Sequence, residues 1–197
     1  MIALRALPFV LLPLLFGCQS SGAAKSAPPE QISAEVSLSA QDRAGTVQDL
    51  DAALARGERV ALVFWQTWCE SCREEAPAIA AAAAAQGGRI RFVGVVPGSR
   101  ETVKEEEVSA TAEAWGYSFP QVRDYDLAWS KALGVRGTPT IVVLGQGREV
   151  LYREHRPPAD WSAFAGPALE AKAPSDPECE GGVCPLPDST PKGGTQQ

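Results

Sequence analysis

Two cysteines three residues apart, Cys69 and Cys72, follow directly after an apolar segment that spans residues 60–65. An apolar run of this length is typical of a strand that is buried on both faces of a sheet. Residues 70–86 contain a long run of alanines and end at Gly87, which predicts a helix that begins just after Cys69. Cysteines at this spacing share one face of the first helical turn, close enough to form a disulfide. The free N–H groups and the helix dipole there favour a thiolate.

Hydrophobic periodicity predicts an α/β domain over residues 34–171, with a central mixed β-sheet flanked by helices. The predicted strands span residues 34–38 (an edge strand), 59–65, 90–96, 120–123, 140–144 and 149–154. The predicted helices span residues 46–56, with Thr46 as the cap, 70–86, with a kink at Pro77, 101–115, 126–133 and 159–171. The last two strands flank the turn at residues 145–147, so we expect them to form a hairpin.

Two motifs and the order of these elements resemble the thioredoxin fold. Residues 64–77, Phe-Trp-x-Thr-Trp-Cys-x-x-Cys-Arg-Glu-Glu-x-Pro, are similar to the TlpA/ResA branch of that fold, and Gly-Thr-Pro at residues 137–139 is the second motif. Members of this branch are exported, membrane-tethered thiol-disulfide oxidoreductases that often serve cytochrome c maturation. The helix-plus-strand insert of the branch corresponds to residues 96–124.

The resemblance implies roles for several residues. Cys69 is the attacking thiol and Cys72 the resolving thiol of a redox-active disulfide. Pro139 matches a cis-proline that lies against the disulfide, and the backbone of Thr138 pairs with an extended substrate strand. Trp68 shields the two sulfur atoms.

The proton of the resolving thiol needs an acceptor. Thioredoxins carry a buried acid at the position that is Val63 here, so another group or water must take the proton. Glu75 lies one helical turn after Cys72 and matches an acid of the TlpA/ResA branch. Two alternatives stay open for Glu75: a proton acceptor, or a solvated helix residue like Glu74.

Charge and residue counts restrict the partners. The net charge is −6 and the 18 basic residues form no cluster, which excludes nucleic-acid binding. Zinc on a Cys-x-x-Cys pair needs two further ligands, and the chain has one histidine, His155. We therefore expect no cofactor and no resident metal. A non-enzymatic chaperone that holds copper(I) on Cys69 and Cys72 is an alternative, because copper(I) prefers thiolates.

The N-terminal residues predict export. Residues 1–17 form a signal peptide, whose apolar core is too short to span a membrane. Residues 15–18, Leu-Phe-Gly-Cys, resemble a bacterial lipobox, which implies cleavage after Gly17 and lipid on Cys18; ordinary secretion is the alternative. Residues 18–33 are predicted to be a flexible tether. We therefore expect a domain anchored to a bacterial membrane and facing the periplasm or extracytoplasmic space.

Residues 172–197 are rich in proline and glycine and are predicted to be a disordered tail. The tail contains Cys179 and Cys184, and the glycines between them allow the two cysteines to pair. Such a disulfide is either a staple within the tail or a tethered dithiol that exchanges with Cys69 and Cys72.

Two directions of redox chemistry fit the pair. Glu70 adds negative charge beside the thiolate and makes the pair a weaker oxidant, which favours a reductase of protein disulfides. The alternative is an oxidase that donates disulfides to protein dithiols. Either enzyme exchanges electrons with a membrane-bound donor or acceptor that the sequence does not identify.

Overall fold

The central strand of the sheet is the one that leads to the cysteines. In the computed structural model, which describes residues 30–169, every residue of Val60–Phe64 is buried. This strand pairs in parallel with Arg91–Pro97 and antiparallel with Thr140–Leu144. Gln121–Asp124 and Val150–Glu154 form the two edges of the five-stranded sheet. The predicted mixed sheet is therefore confirmed.

The elements are numbered in chain order. The strands are β1 (Ser39–Gln41), β2 (Val47–Asp49), β3 (Val60–Phe64), β4 (Arg91–Pro97), β5 (Gln121–Asp124), β6 (Thr140–Leu144) and β7 (Val150–Glu154). The helices are α1 (Leu50–Ala55), α2 (Glu70–Gln86), α3 (Glu105–Ala114) and α4 (Ala128–Ala132), and short 3-10 turns span Gln146–Arg148 and Trp161–Phe164. The sheet order is β5-β4-β3-β6-β7, and β6 and β7 form the predicted hairpin.

Both faces of the sheet are covered. On one face, Val63 packs in a buried cluster with Cys72 and Ile79 of α2. On the other face, Leu62 packs in a second cluster with Leu54 of α1 and with residues of α4. Successive side chains of a strand point to opposite faces, so a strand covered on both sides must be apolar throughout, as β3 is.

Helix α2 has the predicted bounds. It begins after Cys69, ends at Gly87 and is continuous through the exposed Pro77. Its buried residues recur every three or four positions and therefore lie on one face against the sheet. They are Cys72, Ala76, Ile79 and Ala82.

The first elements of the domain differ from the prediction. Residues 34–38 form turns and irregular chain, and the first strand is β1, which pairs with β2. The helix predicted over residues 46–56 begins only at Leu50, because the residues before it belong to β2. Asp49, and not Thr46, caps α1 by accepting a hydrogen bond from the N–H of Ala52. Helices α3 and α4 lie within their predicted ranges and are shorter.

The helix predicted over residues 159–171 is wrong for the part that the structure describes. The 3-10 turn Trp161–Phe164 is followed by irregular chain. The N–H of Gly166 donates to the carbonyl of Arg89 at 3.2 Å, and Nε of Arg89 donates to the carbonyl of Gly166 at 3.1 Å. A Cβ atom on Gly166 would lie 2.7 Å from Cγ of Arg59. This close approach to the loop after α2 replaces the helix.

The packed region begins before the predicted boundary at residue 34. The carbonyl of Glu30 accepts the N–H of Val150 at 2.8 Å, and the N–H of Ile32 donates to the carbonyl of Arg148 at 3.1 Å. The side chain of Ile32 is buried, so the last residues of the predicted tether belong to the domain. Within residues 30–169, no helix has the length and apolar character needed to cross a membrane. The predicted signal peptide, Cys18 and the tail lie outside the described residues.

Candidate active site

Cys69 and Cys72 form a disulfide at the start of α2, with an S–S distance of 2.07 Å and a Cα–Cα distance of 5.2 Å. Cys69 is 6% exposed and Cys72 is fully buried. The N–H of Cys72 donates to Sγ of Cys69 at 3.1 Å. Cys69 is thus the more accessible sulfur, and the N–H groups at the start of the helix stabilise negative charge on it after reduction.

The charge of Glu70, between the two cysteines, is offset by a neighbour. Glu70 forms a salt bridge with Arg73, three residues further along α2, and both side chains are largely exposed, at 68% and 64%. A nearby opposite charge reduces the field that Glu70 exerts on Cys69. Glu70 therefore opposes the thiolate less than the sequence alone indicates.

The loop before β6 contains a cis peptide bond between Thr138 and Pro139. His155, directly after β7, holds this loop: its Nδ1 lies 2.8 Å from the carbonyl oxygen of Pro139 and 3.2 Å from Oγ1 of Thr140. A carbonyl oxygen only accepts, so Nδ1 carries the proton here. From the sequence His155 was considered only as a metal ligand, and this contact was not predicted. The predicted hairpin was a partial signal, because antiparallel pairing brings the residues after β7 close to the start of β6; the observed register pairs Ile141 with Glu154.

An open groove lies beside Thr138, with a volume of about 420 Å³. We call it the Trp68 groove; its lining includes Gln66, Trp68, Leu127, Val135, Arg136 and Thr138. Trp68 and Leu127 are exposed by 73% and 38%, so most of the Trp68 side chain faces outward. Nε2 of Gln66 donates to the carbonyl of Pro97 at 2.5 Å, but its buried Oε1 accepts no hydrogen bond within residues 30–169. The groove thus combines apolar surface with a lining residue whose buried amide oxygen is unsatisfied within the described residues.

The carboxylate predicted near the cysteines lies on α2. Val63, in the position where thioredoxins carry an acid, is fully buried in the cluster that contains both cysteines. Glu75 is partly buried one turn after Cys72, whereas Glu74 is exposed. The two neighbouring glutamates of α2 therefore have different surroundings, and only Glu75 faces the domain.

Two tyrosines that the sequence analysis missed lie within the field of Glu75. Burial and, second, the charge of Glu75 raise the pKa of Tyr117. Burial, the charge of Glu154 and the charge of Glu75 raise the pKa of Tyr152. Tyr117 belongs to the same buried cluster as the cysteines, and its hydroxyl has no hydrogen-bond partner in the described part of the chain. No local pattern pointed to Tyr117, because it reaches the site from the loop after α3.

Residues 30–169 hold no group of three or more His, Cys, Asp or Glu side chains that could bind a metal ion. The predicted site residues 68, 69, 72, 75, 138 and 139 all fall within the described residues. Cys18, Cys179 and Cys184 do not, so their roles stay predictions.

The chain matches known proteins over most of the described domain. The model of the Redoxin family matches residues 24–164. Thioredoxin-like protein YneN of Bacillus subtilis is 36% identical over 70 residues, which are 36% of this chain and 41% of that protein. A thioredoxin-like protein of Haemophilus influenzae is 30% identical over 120 residues, which are 61% of this chain and 66% of that protein. The chain thus matches less than two thirds of the length of either relative.

Solved structures share the fold. A secreted disulfide oxidoreductase of Mycobacterium tuberculosis, described as homologous to E. coli DsbE, has a TM-score of 0.51 and 22% identity. The match covers 61% of this chain and 84% of that one. Such a likeness at low identity establishes the fold, and the predicted thioredoxin fold is confirmed. The chain belongs to the Redoxin family, and its domain carries the cysteine pair of a thioredoxin-like oxidoreductase at the start of α2.

Proposed function

We propose that the protein is an exported, membrane-tethered thiol-disulfide oxidoreductase that reduces disulfides of other proteins. The observation that supports this function is the cysteine pair, in which Cys69 is 6% exposed and follows directly after Trp68 of the groove, whereas Cys72 is fully buried. In the reduced enzyme, the Cys69 thiolate attacks one sulfur of the client disulfide, and the other client sulfur leaves as a thiolate. Cys72 then attacks Cys69, and the client leaves as a dithiol with two more electrons.

The client binds as an extended segment across the Trp68 groove. The backbone of Thr138 pairs with this segment, and apolar client side chains beside the reacting cysteine contact Trp68. His155 is a positioning residue, because its hydrogen bond to the Pro139 carbonyl holds the loop that carries Thr138. Proteins of cytochrome c maturation and proteins with mispaired disulfides are the client classes that we propose.

Resolution of the mixed disulfide needs a base. Cys72 is fully buried, and burial disfavours the thiolate that must attack Cys69. Glu75 is the nearest carboxylate along α2 that faces the domain. It accepts the proton of Cys72 directly or through one water.

Capture of clients tests the function. In Cys72→Ser the mixed disulfide on Cys69 cannot be resolved, so proteins from an extracytoplasmic extract should accumulate on the variant and be released by a reductant. Cys69→Ser/Cys72→Ser is the control and should capture none. A folded Cys72→Ser variant that captures no protein would contradict exchange with protein disulfides.

An oxidase is the second candidate, and the Glu70–Arg73 salt bridge is the observation that favours it. Because Arg73 offsets Glu70, the thiolate of Cys69 is better stabilised than in the reductase hypothesis, which makes the disulfide more oxidising. The reduction potential of the Cys69–Cys72 couple separates the two functions. A potential near that of thioredoxin, about −270 mV, indicates a reductase, whereas one near that of DsbA, about −120 mV, indicates an oxidase.

The location depends on Cys18. A lipid on this residue would hold the domain at a bacterial membrane, near a membrane-bound electron donor, and the secreted M. tuberculosis structure supports export of this fold. Cys18→Ala should move the protein from the membrane fraction to the soluble fraction, because lipid chains supply the anchoring free energy. Membrane association that survives this substitution would show that another anchor exists.

A further inference from the structure

The Trp68 groove presents exposed apolar side chains and an exposed arginine, and the tail around Cys184 has apolar and acidic residues that complement them. We propose that residues 182–187, around Cys184, occupy the Trp68 groove and that Cys184 exchanges with the Cys69–Cys72 disulfide. The inference rests on the proposed function for the chemistry of Cys69, and it adds an internal partner for that site.

The described chain ends where the tail can reach the site. The N–H of Leu169 donates to the carbonyl of Gly88 at 2.8 Å, just beyond the C-terminal end of α2. Cys69 lies at the other end of this 17-residue helix, which at about 1.5 Å per residue is about 25 Å long. Cys184 follows Leu169 by 15 residues, a chain that can span at most about 50 Å. The tail therefore reaches Cys69 with slack.

The residues around Cys184 complement the apolar part of the groove. Val183 and Leu186 are the large aliphatic residues of the tail, and both lie within two residues of Cys184. The groove presents Trp68 and Leu127, two of the four large apolar side chains that are exposed within residues 30–169. Burial of such surfaces against each other is favourable by about 25 cal/mol per Å² of apolar area. Docking at Cys184 would thus cover apolar surface on both sides.

Polar groups of the groove complement the tail as well. Residues 173–191 contain four acidic and no basic residues. Arg136 at the groove is exposed and forms no salt bridge with any described residue. Gln66, which lines the groove and is 8% exposed, keeps a buried Oε1 without a hydrogen-bond partner in the described residues, so its amide gains a hydrogen bond if docking turns this oxygen toward a backbone N–H of the segment.

The surroundings of the two tail cysteines select Cys184 as the attacking sulfur. Cys179 lies between Glu178 and Glu180, whose charges oppose negative charge on its sulfur. Cys184 has no charged residue within three positions on either side, since residues 181–187 contain none. Cys184 is therefore the better nucleophile, and Cys179 acts second.

The exchange balances within one chain. The Cys184 thiolate attacks Sγ of Cys69, and Cys72 leaves as a thiolate. The Cys179 thiolate then attacks the sulfur of Cys184, and Cys69 leaves as a thiolate. The tail dithiol is oxidised to a disulfide, the domain disulfide is reduced to a dithiol, and two electrons and two protons pass from the tail to the domain. The same steps in reverse reduce the tail disulfide to a dithiol and oxidise the domain dithiol to a disulfide.

A trapping experiment on the full chain tests the exchange. In Cys72→Ser/Cys179→Ser, both resolving thiols are absent, so mild oxidation of dilute protein with oxidised glutathione should yield a Cys69–Cys184 disulfide, identified by non-reducing peptide mapping. The matched variant Cys72→Ser/Cys184→Ser should form the Cys69–Cys179 disulfide at least tenfold more slowly. Absence of the Cys69–Cys184 link, equal rates for the two variants, or a rate that rises with protein concentration would overturn the inference.

Substitutions in the groove test whether the tail binds there. Leu127→Ser and Arg136→Glu, each added to Cys72→Ser/Cys179→Ser, should slow formation of the link by about threefold to tenfold, since one lost contact of about 1 kcal/mol corresponds to about fivefold. Val47→Ser and Arg43→Glu are the controls, because both residues are exposed and neither lines the groove. If all four substitutions leave the rate unchanged, the tail does not dock in the groove.

Client capture separates this inference from the proposed function. Cys72→Ser/Cys179→Ser/Cys184→Ser has no tail thiols, and it should still capture clients on Cys69. If this triple variant captures clients while Cys72→Ser/Cys179→Ser forms no Cys69–Cys184 link, the proposed function stands and the inference is rejected.

Discussion

At the scale of single residues, Glu74 and Glu75 show how one position along a helix changes the chemistry of a carboxylate. Glu74 is exposed, whereas Glu75 is partly buried one turn after Cys72, and its charge adds to burial in raising the pKa of Tyr117. Of the two carboxylates, only Glu75 has the partial burial that the proposed role as proton acceptor requires.

Replacement of Glu75 by Gln should slow the release of mixed disulfides about tenfold or more, because general base catalysis typically contributes about 10²–10⁴-fold. Attack by Cys69 should change little, because it precedes the step that needs the base. Stopped-flow measurement of the two steps between pH 5 and 9, about the range of carboxyl and thiol titration, checks this. Glu74→Gln is the matched control and should behave like the parent protein; identical pH–rate profiles for all three would show that the proton passes to solvent.

Removal of the Tyr117 hydroxyl should increase the stability of the domain. It is buried without a hydrogen-bond partner in the described residues, so Tyr117→Phe should stabilise the domain by about 1 kcal/mol. The pKa of Tyr117 is raised above its ordinary value of 10.0, by burial and then by the charge of Glu75. Above pH 10 the unfolded chain therefore loses this proton first, and stability falls. Urea unfolding at pH 7 and at pH 10.5 should show a larger gain for Tyr117→Phe at the higher pH; a loss at both would indicate that the hydroxyl has a partner.

At the scale of elements, α4 depends on a residue outside it. This helix has five residues, too few to be stable through its own hydrogen bonds. The buried carboxylate of Asp124, at the end of β5, accepts the N–H of Trp129 at 3.1 Å and both the N–H and the hydroxyl of Ser130, at 2.8 and 2.7 Å. Asp124 thereby attaches α4 to the sheet, and with it the wall of the Trp68 groove that carries Leu127 and Ser130.

Asp124→Ala should destabilise the domain by about 2–4 kcal/mol, since buried donors lose a charged acceptor. It should also weaken binding of clients, because the groove wall is displaced. Within the described residues, the side chain of the exposed Asp126 accepts only the N–H of Ala128, at 3.1 Å, so Asp126→Ala should cost about 1 kcal/mol or less. Chemical denaturation of the two variants measures the difference, and equal losses would mean that Asp124 is not the residue that attaches α4.

At the scale of the whole molecule, Glu58 connects three elements. It lies between α1 and β3, is 7% exposed, and accepts hydrogen bonds from Arg56 and from Arg91 of β4, at 2.6 and 2.7 Å. Burial alone would raise the pKa of Glu58, but the hydrogen bonds and charges of Arg91 and Arg56 outweigh it and lower the pKa below 4.5. The unfolded chain therefore takes up the proton first as the pH falls.

This linkage predicts acid sensitivity of the domain. The stability from Glu58 is fully present above pH 4.5 and is lost as the pH falls through its folded pKa. Glu58→Gln should lower stability at pH 7 by about 2 kcal/mol and flatten the decrease in melting temperature between pH 5 and 3, about the range of carboxyl titration. The exposed Glu106 offers the control Glu106→Gln, which should retain the slope of the parent. A parent-like slope in Glu58→Gln would assign the acid sensitivity to other carboxylates.

Local sequence patterns were sufficient for the central elements. β3 is apolar at every position, which only a strand covered on both faces requires, and α2 matched its predicted bounds because its alanine run ends at two glycines. The spacing of Cys69 and Cys72 placed both sulfurs in one helical turn without reference to any other part of the chain. The same patterns failed at Val47–Asp49 and at Gly166, where pairing with a distant segment overrides the local preference.

The sequence by itself therefore determined the α/β class, the central strand and the position of the cysteine pair, because these follow from periodicity and spacing over a few residues. Only the tertiary structure decided what surrounds that pair: His155 on the loop of Pro139, Tyr117 in the field of Glu75, and the buried, unsatisfied amide oxygen of Gln66 beside the groove. Each of these arises where residues far apart in the chain meet. Contacts of this kind depend on the packing of whole elements, which no local pattern encodes.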